Sequence, residues 1–323
     1  MKTFLSVLSA SAFLALPSLS FAQAPAEAPK KDPAAQEKPA NPLGDLLNDK
    51  DGSLSRLAET LLGKNGGNRL FYFPTKDQPF TPEKYGYKYE DVSFKSADGT
   101  KLHGWFLPST KGTSKAKGTV VFSHGNAGSV AHHLGFVTWL LPEGYNVLLY
   151  DYRAFGKSEG AITRKGLIED VRAAFTYVAT RKDVDANRLI SFAHSLGGAK
   201  SLAAIGMKPI KGLRAVISHG GFASYKQMAI QKAGQVGGNL TTDELSALQF
   251  VEKVSPLPLL IIHGTADAVV PVGQGEALFK KAKEPKTFFK VEGANHQNSL
   301  SKNNGEYRKK MLAWLDEKLK PAK

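Results

Sequence analysis

Three residues far apart in the chain have the types needed for nucleophilic catalysis. Ser195 follows the apolar run Leu189-Ile190-Ser191-Phe192-Ala193 and precedes the small residues Gly197, Gly198 and Ala199. A tight strand-to-helix turn at such a point would present the hydroxyl at the tip, with small neighbours letting the two elements approach. A free hydroxyl is a weak nucleophile near neutrality and needs a base within hydrogen-bond reach. His296, in Gly293-Ala294-Asn295-His296, is the candidate base, and Asp267, in His263-Gly264-Thr265-Ala266-Asp267, the carboxylate that would fix its tautomer. The chemistry implied is acyl transfer through a covalent intermediate on Ser195.

Such a reaction builds negative charge on an acyl oxygen, which backbone N–H groups stabilise without reorganising. The N–H of Leu196, directly after the serine, is one expected donor. The second is expected from the loop Ser123-His124-Gly125-Asn126-Ala127-Gly128, at Asn126 or otherwise Ala127. Two other segments imitate chemistry. Gly156-Lys157-Ser158-Glu159-Gly160 has the letters G-x-S-x-G, but Ser158 falls in a loop well past the preceding strand with no helix opening after it, so it is rejected as nucleophile. Residues 151–158 nearly match a phosphate-binding loop, yet Asp151 stands where glycine is needed and would repel phosphate. No cofactor and no metal is expected. His132 and His133 are adjacent, do not share a helix face and read as solvated or helix-capping. His124 and His263 read as loop formers, and His194 as pointing away from the nucleophile.

Delivering these residues to one place requires a particular framework. Residues 92–94 and 102–106 flank Asp98-Gly99 and read as a hairpin. Strands are expected at 119–123, 146–150, 189–193, 215–218, 259–263 and 287–291. Helices are expected at 131–141, 163–180, after Ser195, near 274–283 and at 307–318. Continuous apolar strands alternating with amphipathic helices specify an α/β fold, a mostly parallel central sheet of about eight strands with helices on both faces. In such sheets ligands bind beyond the carboxyl ends of the strands, and Ser195, Asp267, His296 and the loop from His124 all follow strand ends. Residues 219–255 read as a small lid-like insertion with helical pieces near 224–232 and 242–253.

The bulk properties set the context. Residues 1–22 have Lys2, an uncharged apolar segment and Ser20-Phe21-Ala22, the pattern of a secretory signal peptide. The apolar part is shorter than the roughly 20 residues of a membrane span, so no stable membrane insertion is expected after cleavage. Residues 23–42, rich in Pro, Ala and charge, read as a disordered tether. Residues 43–66, with leucines near helical spacing, read as amphipathic helices ahead of a domain over 67–323. The chain has no cysteine, which excludes disulfides and, with export, points to a bacterial periplasm, or alternatively secretion to the medium. The formal charge of +14 is spread along the chain without aromatic interleaving. That argues against nucleic acid and allows weak contact with anionic envelope surfaces.

As a set, these residues resemble the α/β-hydrolase-fold serine hydrolases, in particular an esterase- or lipase-like branch with an HGNAG segment at residues 124–128. The stations run from Asp98-Gly99 and His103-Gly104-Trp105 through Asp151-Tyr152-Arg153, the Ser195 turn, Asp267 and His296. The order Ser, Asp, His is the one these enzymes use. Ala193 departs from the pattern, standing where glycine is usual. The resemblance implies a small or absent lid and a small-molecule acyl substrate, with ester cleavage expected. A peptidase or amidase with the same triad, or a non-catalytic envelope protein on the same fold, are the alternatives.

Overall fold

The computed structural model describes residues 71–320. The expected signal peptide, tether and N-terminal helices fall outside the described residues. Eight strands form one sheet in the order β10-β9-β8-β7-β4-β6-β3-β2. They are β2 (Glu90–Lys95), β3 (Lys101–Leu107), β4 (Gly118–Ser123), β6 (Tyr145–Asp151), β7 (Leu189–His194), β8 (Leu213–His219), β9 (Leu259–Gly264) and β10 (Lys286–Val291). Every pairing from β6 across to β10 is parallel, and β2 and β3 form an antiparallel hairpin on one edge. Two further strands, β1 (Phe73–Pro74) and β5 (Ala127–Gly128), pair in parallel outside the main sheet.

The central strands are apolar throughout because both faces are covered. Successive residues alternate between two cores: Val121, Leu189, Leu259 and Ile261 face one, and Val120, Phe122, Ile190, Phe192, Leu260 and Ile262 the other. On the first face lie α2 (Arg164–Thr180), α3 (Leu196–Met207) and α5 (Val272–Lys281). The opposite face is covered by α1 (Val130–His133), the turns that follow it and α6 (Lys302–Lys318). The Thr163 hydroxyl caps α2 by accepting from Gly166 N–H.

Two helical expectations need correction. The helix expected at 131–141 breaks after one turn into 3-10 turns at Leu134–Phe136 and Thr138–Leu140. Gly135, Val137 and Thr138 all disfavour a continuous α-helix, and wrapping the sheet end buries Leu134, Val137 and Leu140 instead. Within the insertion, the first piece is α4 (Tyr225–Asn239), kinked at Ala233 and Gly234. The piece expected at 242–253 is a pair of 3-10 turns, Ala247–Gln249 and Val251–Val254. Among the described residues no helix is long and apolar enough to cross a membrane.

Candidate active site

Ser195 sits between β7 and α3 with φ 54° and ψ −118°, left-handed territory that costs a non-glycine residue roughly 1–3 kcal/mol. The turn is enforced from all sides. Its N–H donates to the His219 carbonyl at 2.9 Å. A Cβ on Gly197 would collide with the Ser123 carbonyl, and one on Gly198 would press on Ser218 and Gly221. The helix therefore approaches the strand ends as closely as backbone allows. Ala193 lies in register with Ser123 on one side and Ser218 on the other, and two small neighbours give its methyl group room in the fully buried strand.

His296 and Asp267 arrive from the ends of β10 and β9. The His296 Nδ1 is 2.7 Å from Asp267 Oδ2. Since the carboxylate only accepts, Nδ1 carries the proton and Nε2 is left with its lone pair. The other carboxylate oxygen accepts from Val269 N–H at 2.9 Å and Val270 N–H at 2.8 Å. Burial pushes the Asp267 pKa up, but hydrogen bonds from His263 and His296 outweigh it and hold the carboxyl well below the usual range. Gly220, at φ +59°, leaves space for the imidazole: a Cβ there would sit 3.2 Å from the His296 ring. His194, next to Ser195 in sequence, packs its ring 4.7 Å from the His296 ring. These contacts join His296 directly to Asp267 and place its ring against His194, the residue before Ser195; Ser195 and Asp267 are buried and the His296 side chain is 11% exposed.

The loop after β4 runs alongside. A Cβ on Gly125 would stand 3.8 Å from the Ser195 Cβ. The Asn126 carbonyl accepts from Phe73 N–H at 2.7 Å, and its side-chain amide donates to the Phe71 carbonyl at 2.8 Å. Ala127, exposed, pairs with Phe73 in register. Thr75 N–H reaches the Gly128 carbonyl at 3.1 Å, and the Ser129 hydroxyl the Asp77 carbonyl at 2.7 Å. Residues 71–77 thus form a strap across the loop, which short, irregular strand segments gave no periodic signal to find. Leu196 is the first residue of α3, so its N–H has no helical acceptor.

Of the remaining histidines, His132 caps its helix as expected, its Nδ1 accepting from Ser129 N–H at 3.2 Å, whereas His133 and His194 differ from expectation. His133 is buried rather than solvated, with Nδ1 3.1 Å from the Ser129 carbonyl and Nε2 3.4 Å from Gly125 N. His194, expected to turn away, lies against Phe136, His219 and His296 with ring centroids 4.3, 4.9 and 4.7 Å apart. Burial, and then the neighbouring His296, push the His194 pKa far down, and burial takes His219 to about 3 and His133 to about 4. His124 and His263 are loop formers as expected, bonding the Gly125 and Val270 carbonyls at 2.8 Å each. Ser158 is buried, donating to the Asp151 carbonyl at 2.7 Å and accepting from His103 N–H at 2.9 Å. Asp151 accepts from Val130 N–H at 2.8 Å, bracing the segment after the loop. Among the described residues no cluster suited to a metal ion occurs.

Comparison with known proteins places this geometry. The chain is 40% identical over 254 residues to the Escherichia coli O157:H7 protein named uncharacterized protein YfhR, covering 78% of this chain and 88% of that one. It is 31% identical over 281 residues to the alpha/beta hydrolase domain-containing protein WAV2 of Arabidopsis thaliana, covering 79% and 89%. Among solved structures, the Pyrococcus furiosus esterase Pf2001 superposes with a TM-score of 0.66 at 20% identity, covering 77% of this chain and 99% of that one. Residues 140–322, more than half the chain, match the prolyl oligopeptidase family. With its eight-stranded, mostly parallel sheet, the chain has the α/β-hydrolase fold and belongs to the prolyl oligopeptidase (peptidase S9) family.

Proposed function

We propose that this protein is an exported serine hydrolase that cleaves carboxylic esters through an acyl-enzyme on Ser195. The observations that carry the reading are a serine held at positive φ on a strand–helix junction and a 2.7 Å His296–Asp267 pair at the ends of the neighbouring strands. His296 Nε2 takes the Ser195 proton as the oxygen attacks the acyl carbon, then gives it to the departing alkoxide. Asp267 keeps the proton on Nδ1 and stabilises the imidazolium. The Leu196 N–H and a second N–H from the 125–127 loop, at Asn126 or Ala127, receive the oxyanion. Water repeats the sequence to release the acid. The exported, periplasmic setting rests on the residue 1–22 pattern, with a small acyl compound as substrate.

A fluorophosphonate probe should label the wild-type protein and leave Ser195→Ala unlabelled, and p-nitrophenyl esters should be turned over by the former alone. A folded wild-type protein that neither reacts nor hydrolyses would sink the reading. A peptidase with the same triad is the second reading, favoured by the family to which the chain belongs. Faster turnover of aminoacyl p-nitroanilides than of matched esters would select it.

A further inference from the structure

A groove of about 180 Å³ has in its wall Gln297, the residue after the proposed base His296. Its walls are α1 and the turns that follow it, which contribute His132, Phe136 and Trp139, and the segment after His296 with α6, which contribute Gln297, Ser301 and Arg308. Gln297 follows His296 directly, and the Phe136 ring packs 4.3 Å from His194, itself 4.7 Å from His296. The groove therefore adjoins the base. None of its lining residues is acidic.

Arg308 is unusual for a cation in a half-buried position. Its guanidinium stacks over Trp139 at 5.1 Å from the ring centroid. Its Nε is buried and has no hydrogen-bond partner, and among the described residues no carboxylate lies within 4 Å of it. By contrast, Arg153 and Arg181 each bind two carboxylates at 2.7–2.8 Å. Buried guanidinium groups normally pair, because desolvated donors left empty cost free energy. Stacking on an indole fixes the plane of the fork, and with Nε buried the two terminal nitrogens are the pair that would serve a planar bidentate acceptor. His132 adds a second donor: its Nδ1 accepts from Ser129 N–H at 3.2 Å, so its proton sits on Nε2. The net charge of +14 would draw an anion toward the molecule.

We infer that this groove is a carboxylate subsite, with Arg308 and His132 as donors and Trp139 as platform, and that the substrate is an ester bearing a free carboxylate. This rests on the Ser195 reading above. Two matched pairs test it: p-nitrophenyl hydrogen glutarate against its methyl ester, and 4-acetoxybenzoate against its methyl ester. They place the charge on the acyl and alcohol sides respectively. In the wild type, kcat/KM should favour the free acid of at least one pair. Arg308→Met should lower that preference by about tenfold or more, chiefly through KM, the size of one charge-assisted bond lost. Arg308→Lys should restore part of it. Lys309→Met, the same change of net charge on the adjoining exposed residue, should leave it unaltered. A preference that survives Arg308→Met, or that Lys309→Met removes equally, overturns the subsite. Failure of the hydrolase reading would show differently, as no turnover of any ester or turnover undiminished in Ser195→Ala. Calorimetric titration with glutarate then decides: binding about tenfold weaker in Arg308→Met supports the subsite, and equal or undetectable binding in both proteins overturns it.

Discussion

Ser158 and Ser195 both stand in motif-like stretches with glycine two residues on, yet their surroundings are opposite. Around Ser158 polar groups are mutually satisfied: its hydroxyl bridges two strands, and nearby Arg153 binds Asp170 at 2.8 Å and Asp98 at 2.8 Å. Around Ser195 the backbone is strained, and the neighbours are imidazoles, with ring nitrogens of His194 and His219 buried without partners. One region spends its polar groups on cohesion. The other holds them uncommitted, at a cost borne by the rest of the fold. A residue's letters therefore say less about chemistry than whether its hydrogen-bonding capacity is already used.

The sharpest way to break this contrast is to remove each hydroxyl. Ser195→Ala should reduce ester kcat/KM on the order of 10⁴-fold or more while leaving the melting temperature unchanged within error. Ser158→Ala should do the reverse, lowering stability by about 1–3 kcal/mol in urea titration because His103 N–H and the Asp151 carbonyl lose their partner, with the activity of the folded fraction retained. Equal effects on both properties would erase the distinction. Asp267→Asn comes next, with a loss of about 10³–10⁴-fold in kcat, since an amide can donate to Nδ1 and so favour the wrong tautomer. Gly197→Ala should cost about 3 kcal/mol of stability by driving a methyl group into the Ser123 carbonyl.

Acid sharpens the comparison more gently. His219 and His133 are held neutral in the fold, with pKa values pushed by burial to about 3 and about 4, against an unfolded value near 6.5. Between these limits the unfolded chain binds more protons than the native one, so stability falls as pH drops below about 6.5. Each ring contributes a slope of up to about 1.4 kcal/mol per pH unit. Asp98 and Asp267, whose pKa values are depressed, add their losses only below about pH 4. Chemical denaturation from pH 8 to 4 should show the earlier onset, and His219→Phe should flatten it. The smallest effect is expected for Ala193→Gly, a change of under about 1 kcal/mol and a few-fold in kcat/KM, because Ser123 and Ser218 already accommodate the methyl group.

Much of this arrangement could be read in the sequence where a pattern is local. Apolar runs located the central strands within a residue or two, and the small residues after Ser195 marked the turn. Periodicity failed where burial demanded irregularity. The segment 131–141 has the apolar spacing of a helix, but its leucines and Val137 reach the core through broken turns. The burial of His133 leaves no mark in its sequence neighbours, because the fold covers it only in three dimensions. Arg308 and Trp139 lie 169 positions apart and meet only in three dimensions. As sequence, Asp151 shows an obstacle to phosphate and a station of the family pattern, but not that its carboxylate holds Val130 N–H at 2.8 Å.

The strap at residues 71–77 has a practical consequence for anyone shortening the gene. A clone opening after Thr75 would strip the acceptor–donor ladder from Asn126 and Gly128, handing both carbonyls to water and freeing the loop beside Ser195. The expected outcome for such a fragment is an intact sheet with lower turnover of p-nitrophenyl esters than the longer chain shows. One beginning ahead of Phe71 keeps the brace.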